Sequence, residues 1–322
     1  MGKIVAGMAS SHAYALVQPA GWEKMRQRTW ANYKRRYGTE PTPHPKISEE
    51  TLNDNHLRYS RLSSGFELLK GKLKEKRPDA LIVIGDDQDE HFTEHNVPQF
   101  AIYNGEDFYS TERGLDGVRT RGAKYLSHRD LAQSLLDGFI DRDFDMSYCL
   151  SFPKSELISH AHAPILRMMN PEADIPVVLI FVNAIHVPAA SPGRCYRLGR
   201  AIKEIIESRP SQERVAVYAS GGLSHFTAGY PWPHYQGPHG LGSISEEFDR
   251  KAVSHMLQGE GEQLAQLTSK DLLDHGDIEM RSWIILMGAL GSVPAQVLTY
   301  EPFYSAVMGM GLGYWELENG GH

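Results

Sequence analysis

The run GKIVAGMASSHAYAL (residues 2–16) places a short apolar segment, residues 4–8, directly before two serines and a histidine. This segment shows no strict alternation of polar and apolar residues, which is typical of a strand covered on both faces of its sheet. His12 would then lie in the loop that follows the strand. Polar and ionisable residues at the carboxyl ends of strands are where open α/β sheets form ligand sites. The run therefore predicts an α/β fold with a functional site near His12.

Three later segments repeat this arrangement of an apolar run followed by polar or ionisable residues. They are LIVIGDDQDEH (81–91), which contains Gln88 and Glu90, VVLIFVNAIH (177–186), which ends in His186, and AVYASGGLSH (216–225), which ends in His225. One such histidine carries little information. Four predicted strand ends that all carry polar chemistry indicate a metal or catalytic centre.

Predicted strands and helices alternate along the chain. The strands are residues 4–8, 80–84, 146–150, 177–182 and 215–219, and the helices are residues 54–76, 129–141, 195–208, 245–258, 264–270 and 279–290. This alternation predicts the α/β class, with a central mostly parallel or mixed sheet flanked by helices on both faces.

Three segments have weak periodicity, namely residues 17–52, 104–127 and 229–243. They are rich in proline, glycine, charged or aromatic residues. Long loops in compact domains usually serve as lids or binding segments. We therefore expect them to be long loops over the active site of one catalytic domain that spans residues 1–322.

Composition excludes several classes of function. The formal net charge of −7 argues against nucleic acid as the main partner, because phosphate binding requires patches of lysine and arginine. The sequence has no apolar run of roughly 18 residues that would span a membrane, and serine and histidine interrupt its start too early for a signal-peptide core. Its two cysteines, Cys149 and Cys195, lack the CxxC spacing of a zinc site and predict free thiols in a reducing cytoplasm.

Three residues stand out as candidates for chemistry at the predicted site. His12 is expected to bind a metal. His225 follows two glycines that permit close backbone approach and a positive φ, and it predicts a ligand or a general acid/base. Glu279 lies near the start of a largely apolar helix, where a carboxylate either caps the helix or completes a two-histidine, one-carboxylate site for Fe(II).

Other polar residues leave more than one interpretation open. The run GDDQDEHF (85–92) is either a solvated acidic turn or a carboxylate-rich Mg²⁺ site, although no phosphate-binding glycine loop accompanies it. In SHAHAPILRMM (159–169), we expect one of His160 and His162 to point into the site and the other to solvent. These two histidines and His186 are equally compatible with purely structural roles.

Topology makes a prediction about His56. The helix at residues 54–76 must return to the start of the strand at residues 80–84. Its N-terminus is therefore expected on the side of the sheet where that strand ends. This places His56 on the same face as Gln88 and His12.

Several motifs in this order resemble the class III extradiol dioxygenases, the protocatechuate 4,5-dioxygenase β-subunit or LigB-like superfamily. They are SSH ending at His12, GDDQ ending at Gln88, VNAIHVPAASPGRC ending at Cys195, ASGGLSH ending at His225, and IEMRSWIILMGAL around Glu279. The resemblance covers roughly residues 3–313. The GDDQDE motif and the long N-terminal insertion are most similar to the branch that contains 3-O-methylgallate 3,4-dioxygenase.

The resemblance implies roles for individual residues. His12 and Glu279 would bind iron, His225 would be the acid/base histidine, and His160 would be a second active-site histidine that contacts substrate or O₂. The second iron-binding histidine of the protocatechuate enzymes falls where this chain has Gln88. Either Gln88 binds the iron, or His91 reaches back, or His56 takes the role. We favour His56, with Gln88 as a ligand or as a hydrogen-bonding partner of the ligands.

The implied function is Fe(II)-dependent extradiol cleavage of a catecholic or gallate-type phenol with O₂, by a cytoplasmic homodimer. Two imidazoles and one carboxylate leave open positions on the metal, so that both reactants are held together. Ser11, His186 and Arg194 are candidates for substrate binding. The alternatives are a zinc-dependent hydrolase or lyase on the same fold, and a non-catalytic binding homologue.

Overall fold

The computed structural model describes residues 1–12, 17–113 and 118–317, and it contains the following strands and α-helices in chain order. They are β1 (Lys3–Ser10), α1 (Trp22–Tyr37), α2 (Leu52–Lys76), β2 (Ala80–Asp86), β3 (Phe100–Tyr103), β4 (Asp107–Arg113), β5 (Arg119–Leu126), α3 (Arg129–Ile140), β6 (Ser147–Cys149), α4 (Ala163–Met169), β7 (Val177–Val182), α5 (Pro192–Ser208), β8 (Arg214–Ser220), α6 (Glu246–Gln258), α7 (Gly261–Ala265), α8 (Ser269–Asp274), α9 (Met280–Leu290), β9 (Val297–Phe303) and β10 (Met308–Glu316).

A mixed sheet of eight strands forms the centre of the molecule, in the order β6-β3-β7-β2-β8-β1-β10-β9. Its four central strands, β7, β2, β8 and β1, are parallel to their neighbours within this group. β3 and β10 pair with this group in the antiparallel direction. The sheet confirms the predicted fold class. The four parallel strands end at one edge, here called the carboxyl edge.

Helices cover both faces of the sheet. Alternate residues of β2 enter different hydrophobic clusters, because successive side chains of a strand point to opposite faces. Ile82 and Ile84 pack with residues of α3, α5 and α9. Leu81 and Val83 pack with residues of α2 and α4. This two-sided burial explains why the central strands have continuous apolar sequences.

The helices α5 and α9 approach each other backbone to backbone. A Cβ atom on Gly199 would lie 1.9 Å from the carbonyl oxygen of Ile285, and one on Gly288 would lie 2.1 Å from the carbonyl oxygen of Tyr196. Neither position has room for a side chain. This contact fixes α9, and thereby the residue at its N-terminus, relative to the sheet.

The segments predicted to be irregular contain regular structure. The helix α1 lies within residues 17–52, and the antiparallel hairpin of β4 and β5 lies within residues 104–127. The helix shows little amphipathic periodicity because it buries only Trp22, Arg26 and Thr29. The strands β9 and β10 were also not predicted, and three alternating glycines weaken the strand signal of β10.

None of the helices in the described part of the chain is both long and apolar enough to cross a membrane. Cys149 and Cys195 are free cysteines, as predicted; Cys195 is buried and Cys149 is partly buried.

Candidate metal centre and active site

Three ligand-bearing residues meet at the carboxyl edge of the sheet. His12 follows β1, Asp86 is the last residue of β2, and Glu279 is the N-cap residue of α9. All three are buried, and each offers a ligand atom that lies within 4.8 Å of those of the other two. We call these residues the His–Asp–Glu cluster.

The donor set of the cluster fits a divalent metal ion. Imidazole and carboxylate groups are the ligands of non-haem Fe(II) and Mn²⁺ sites. Asp86 Oδ1 is buried and makes no hydrogen bond within the described residues. Burying a carboxylate oxygen without a partner costs free energy, and a bound cation would remove that cost.

Backbone and side-chain contacts hold the carboxylate of Glu279. Its Oε2 accepts a hydrogen bond from the backbone N–H of Gly222 at 2.5 Å, and its Oε1 accepts one from Gln88 Nε2 at 2.8 Å. A Cβ atom on Gly222 would lie 2.9 Å from the ring of His225 and 3.2 Å from Glu279 Oε2. The predicted close approach at this glycine pair is therefore present. Neither Gly221 nor Gly222 uses the positive φ that glycine permits.

The imidazole of His12 is oriented toward the cluster. Its Nδ1 lies 3.2 Å from Ser220 Oγ, and its Nε2 lies 3.8 Å from Glu279 Oε2. Burial lowers the pKa of His12 to about 4, and the nearby Glu279 carboxylate only partly opposes this effect. A neutral imidazole is the form that binds a metal ion.

The two carboxylates of the cluster have opposite pKa shifts. Burial, reinforced by the charge of Glu279, raises the pKa of Asp86 to about 8. Burial also acts to raise the pKa of Glu279, but the charges of His225 and His12 outweigh it and hold that pKa well below its usual range. Two acidic groups with such different environments are characteristic of functional sites.

His225 lies against the cluster in the loop after β8. Its Nδ1 lies 2.7 Å from the carbonyl oxygen of Leu223, which makes Nδ1 the donor, and its Nε2 lies 3.2 Å from Glu279 Oε1. Burial acts to lower the pKa of His225, but the charge of Glu279 and the hydrogen bond to it raise this pKa above its usual value.

His160 is held by a chain of charged groups. Its backbone N–H and its Nδ1 both contact Glu90 Oε2, at 2.6 Å and 2.7 Å, and Arg119 pairs with Glu90 Oε1 at 2.8 Å. The ring of His160 stands edge to face with that of His12, with ring centroids 5.0 Å apart. Burial acts to lower the pKa of His160, but the Glu90 carboxylate outweighs it and raises this pKa to about 9.

A cavity of about 250 Å³ opens onto these groups. Its walls come from the carboxyl edge of the sheet, from α1, from the hairpin and from α4. The lining residues include His12, Gln88, Glu90, His160, His225 and Glu279, together with Met25, Arg28, Thr29, Asn32, Thr111, Arg119, Arg167, Thr227 and Gly229. All three segments predicted to cover the active site contribute residues to the wall of this cavity, although two of them contain folded elements.

Gln88 lies beside the cluster and lines the cavity. Its Nε2 donates hydrogen bonds to Glu279 Oε1 at 2.8 Å and to Asp86 Oδ2 at 3.1 Å. The amide therefore ties together the two carboxylates of the cluster.

The structure does not bring the other predicted second ligands to the cluster. His56 is exposed on α2. The N-terminal part of α2 lies beside β9, where Arg58 Nε donates to Glu301 Oε2 at 3.0 Å, and β9 is an edge strand that β8, β1 and β10 separate from β2. The topological argument for His56 considered only the direction of α2 along the sheet and not its position across the strands. His91 is buried in an aromatic cluster, stacked on Phe152 at 4.5 Å, and does not line the cavity.

The three residues predicted to bind substrate lie outside the cavity. Ser11 is buried, and its Oγ accepts a hydrogen bond from the backbone N–H of Gly311 at 3.0 Å. His186 pairs with Asp89 at 2.9 Å and lines a separate cavity. Arg194 lies over the ring of Phe100, 5.4 Å from its centroid, beside a different surface cavity.

His162 also differs from its prediction. It does not point to solvent but is fully buried, where Nδ1 contacts Ser159 Oγ at 2.8 Å and Nε2 contacts the carbonyl oxygen of Ile180 at 3.1 Å. Burial lowers the pKa of His162 to about 3. It is therefore a neutral structural histidine beside the site.

Sequence reasoning missed one residue of the cluster, Asp86, and two residues that line the cavity, Arg28 and Arg119. The run that contains Asp86 predicts either a solvated acidic turn or a Mg²⁺ site and does not single this residue out, although its position at the end of an apolar strand is the signal that marks it. Arg28 and Arg119 come from segments whose weak periodicity hid the elements that carry them, and no pattern in the sequence indicates them.

The fold and the cluster together place this chain in the class of α/β proteins with a candidate metal site at the carboxyl edge of the sheet. The site consists of one histidine and two carboxylates, all buried. Within that class, the chain belongs to the family described as the catalytic LigB subunit of aromatic ring-opening dioxygenase, whose model matches residues 42–311. The predicted resemblance is thereby confirmed.

Two characterised relatives are similar over part of their length. Gallate dioxygenase of Pseudomonas putida is 25% identical over 170 residues, which cover 51% of this chain and 46% of the relative. A 2,3-dihydroxyphenylpropionate/2,3-dihydroxicinnamic acid 1,2-dioxygenase of Mycolicibacterium paratuberculosis is 28% identical over 185 residues, which cover 56% of this chain and 52% of the relative. The matches thus span about half the length of these relatives.

One solved structure has the same overall fold. An uncharacterised protein from Escherichia coli K12 superposes with a TM-score of 0.50 at 14% sequence identity, covering 96% of this chain and 99% of the other. At this identity the likeness concerns the fold alone.

Proposed function

We propose that this chain, as a single catalytic domain, is a non-haem Fe(II) extradiol dioxygenase that opens a catecholic or gallate-type ring with O₂. The observation that carries the proposal is the buried His–Asp–Glu cluster, which faces a cavity also lined by His160 and His225. The cavity of about 250 Å³ lies just below the roughly 300–1,000 Å³ of drug-sized sites, which suits a substrate with one ring. Membership of an aromatic ring-opening family supports the reaction class.

In this proposal His12, Asp86 and Glu279 hold the iron. Bound there, iron would supply open coordination positions for phenolic oxygens and for O₂. The protein ligands would be one imidazole and two carboxylates, whereas the resemblance implied two imidazoles and one carboxylate. Asp86 replaces the missing second histidine, and Gln88 positions both carboxylates through its amide N–H groups.

His225 is the proposed acid/base residue. Because its Nδ1 donates to the carbonyl oxygen of Leu223, its Nε2, whose proton is directed at Glu279 Oε1 in this structure, is the atom that would exchange a proton with a substrate hydroxyl. His160 is fixed through Nδ1 by Glu90, which leaves its Nε2 to hydrogen-bond to the substrate or to O₂.

The elements above the cavity would exclude water. The helix α1, the hairpin and residues 227–229 all contribute to the cavity wall. Excluding water strengthens the electrostatic interactions within the site and prevents side reactions.

The test is anaerobic reconstitution with Fe(II), followed by O₂ uptake and absorption spectra with a panel of catechols and gallates. We expect one O₂ consumed per ring opened. We also expect His225→Gln to lower kcat by about 10²- to 10⁴-fold while iron content is unchanged. His234→Gln, which changes an exposed histidine, is the control.

Absence of O₂ consumption by iron-loaded protein across the panel would refute the dioxygenase. Product formed without O₂ consumption by zinc-loaded protein would indicate the hydrolase or lyase instead.

We further propose a homodimer in a reducing, cytoplasmic compartment. The free thiols of Cys149 and Cys195 support the compartment, and the family resemblance supports the dimer. Light scattering on the eluted protein measures the oligomeric state, and a monomeric mass would refute the dimer.

A further inference from the structure

The helix α1 presents one face to the cavity of the candidate active site. The lining residues Met25, Arg28, Thr29 and Asn32 follow the spacing i, i+3, i+4, i+7, which places them along a single helical face. Residues of α1 thus share a cavity with the His–Asp–Glu cluster, and they include one positive charge.

Arg28 lacks a counter-charge. Its Nη1 is buried and has no hydrogen-bond partner among the described residues, and its guanidinium forms no ion pair with any described carboxylate. Three other arginines nearby form ion pairs. On the same helix Arg26 pairs with Glu23 and Arg36 pairs with Asp89 at 3.2 Å, and across the cavity Arg119 pairs with Glu90 at 2.8 Å.

Arg167 also lines the cavity, but its side chain is exposed, so that water can solvate its charge. Arg28 is only partly exposed, and one of its terminal nitrogens is shielded from solvent. A guanidinium that has lost water without gaining a partner is unfavourable, and an anion placed in the cavity would compensate it. Among the described lining residues, Arg28 therefore has the strongest requirement for an anionic ligand.

The helix that carries Arg28 is fixed at both ends. Near its start the buried Trp22 ring packs on Phe303, with centroids 4.7 Å apart. At its other end the Tyr37 hydroxyl donates to the carbonyl oxygen of Tyr230 at 2.9 Å. A cation held on a rigid element selects ligands by position as well as by charge.

We propose that Arg28 binds an anionic substituent of the aromatic substrate, a ring-borne carboxylate, and so makes the enzyme selective for aromatic acids over uncharged diols. The planar guanidinium matches a carboxylate through two parallel hydrogen bonds. The identity of the ring rests on the proposed function, whereas the anion subsite rests on Arg28 and the cavity.

The experiment measures binding without turnover, by calorimetry on anaerobic Fe(II)-loaded protein. There are three probes. 3,4-Dihydroxybenzoate carries both the diol and the carboxylate, catechol carries the diol alone, and benzoate carries the carboxylate alone. The variants are Arg28→Met, Arg28→Lys and the control Arg35→Met, which removes an exposed arginine of the same helix that does not line the cavity. Circular dichroism establishes that each variant is folded.

We expect the wild-type protein to bind 3,4-dihydroxybenzoate at least tenfold more tightly than catechol. Arg28→Met should weaken binding of the acid and of benzoate by about 10- to 100-fold, the effect of losing one hydrogen-bonded charge pair, and leave catechol unchanged. Arg28→Lys should keep part of the preference for the acid over catechol, since lysine retains the positive charge but not the planar guanidinium. Arg35→Met should behave like the wild type.

The proposal is overturned if the wild-type protein shows no preference for the acid. It is also overturned if Arg28→Met weakens the binding of the acid and the binding of catechol equally. If Arg28→Met does not fold, Arg28→Lys decides instead: binding of the acid as tight as in the wild type overturns the proposal. The outcome is separable from that of the proposed function. Arg28-dependent binding of benzoate without O₂ uptake on any diol would retain the anion subsite and refute the dioxygenase. If Arg28→Met opens the ring of the acid with an unchanged KM, the dioxygenase is retained and the anion subsite is refuted.

Discussion

At the scale of single residues, the proposed ligand set has a carboxylate where the family resemblance implies an imidazole. Where the family resemblance calls for a second histidine the chain has Gln88, and the structure places the buried Asp86 within reach of His12 and Glu279. The amide of Gln88 hydrogen-bonds to both carboxylates. In the proposed ligand set an ionised Asp86 would add negative charge beside the metal, which favours a hard divalent cation.

This assignment predicts that Asp86→Asn weakens metal binding. Loss of even an outer-shell partner typically costs about 10- to 100-fold in affinity, so the loss of a direct ligand should cost at least that. Titration of the metal-free protein with Fe(II) under anaerobic conditions measures the change. The matched control is Asp87→Asn, because Asp87 accepts the backbone N–H groups of His91 and Phe92 and does not belong to the cluster. Equal affinities for Asp86→Asn and the wild type would remove Asp86 from the ligand set.

His91 provides a prediction about stability and pH. Its buried ring stacks on Phe152, and burial lowers its pKa to about 4, with Glu90 opposing the shift and Arg119 and Lys154 adding to it. In the unfolded chain the ring becomes protonated near pH 6.5, whereas the folded protein takes up this proton only near pH 4. This histidine therefore costs the fold stability as the pH falls from 6.5 toward 4.

His91→Phe should reduce that loss. The difference in unfolding free energy between pH 7.5 and pH 4.5 should be smaller in the variant by about 2–3 kcal/mol, as two pH units of differential protonation imply. Urea denaturation at the two pH values measures it. His95→Phe, which replaces an exposed histidine of the same loop, is the control and should follow the wild type. A pH dependence in His91→Phe that matches the wild type would contradict the assignment.

At the scale of elements, the hairpin of β4 and β5 holds the side chain of His160 through intermediate groups. Thr111 Oγ1 donates to the carbonyl oxygen of Ile158 at 2.5 Å, and Arg119 donates to the same oxygen at 3.0 Å. Arg119 also pairs with Glu90, which holds His160. The hairpin therefore fixes both the backbone before His160 and the orientation of its ring.

Arg119→Met is expected to lower kcat by about 10-fold or more with a smaller effect on KM, because it releases Glu90 without removing a cavity wall. Steady-state kinetics of ring opening measures both constants. Arg119→Lys should restore part of kcat, which a merely structural role would not require. The control is Arg121→Met, since Arg121 lies in the same strand and pairs with Glu156 at the surface. If the two methionine variants have the same kcat, the hairpin does not position His160.

At the scale of the whole molecule, the sheet brings together residues that are far apart in the chain. His12, Asp86 and Glu279 come from β1, from β2 and from the N-terminus of α9, and β8 lies between β1 and β2 in the sheet. The cluster exists only when these elements are packed. A metal ion that binds the folded protein and not the unfolded chain must therefore stabilise the whole fold.

Metal binding should raise Tm in a concentration-dependent way. At a free metal concentration 100 times Kd the gain is about 2.7 kcal/mol, enough to raise Tm by several degrees. Calorimetric scans of anaerobic protein with increasing Fe(II), and with a chelator, measure the shift. In Glu279→Ala the dependence should disappear. A Tm that is insensitive to metal in the wild type would show that the cluster binds none.

The sequence by itself determined the fold class, the central strands and the positions of His12, His225 and Glu279 at the ends of elements. These features depend on local periodicity and on the rule that polar residues at the carboxyl ends of strands form sites. Such patterns are encoded within about ten residues of chain, so they can be predicted without knowledge of the packing.

Only the tertiary structure decided which residues meet. Asp86 joins the cluster, His56 stays outside it because the N-terminal part of α2 lies beside β9 rather than β2, and Arg28 enters the cavity from a helix with little periodicity. Each of these outcomes depends on lengths, offsets and facing directions of elements that are distant in the chain. Local sequence patterns contain the positions of such residues but not the distances between them.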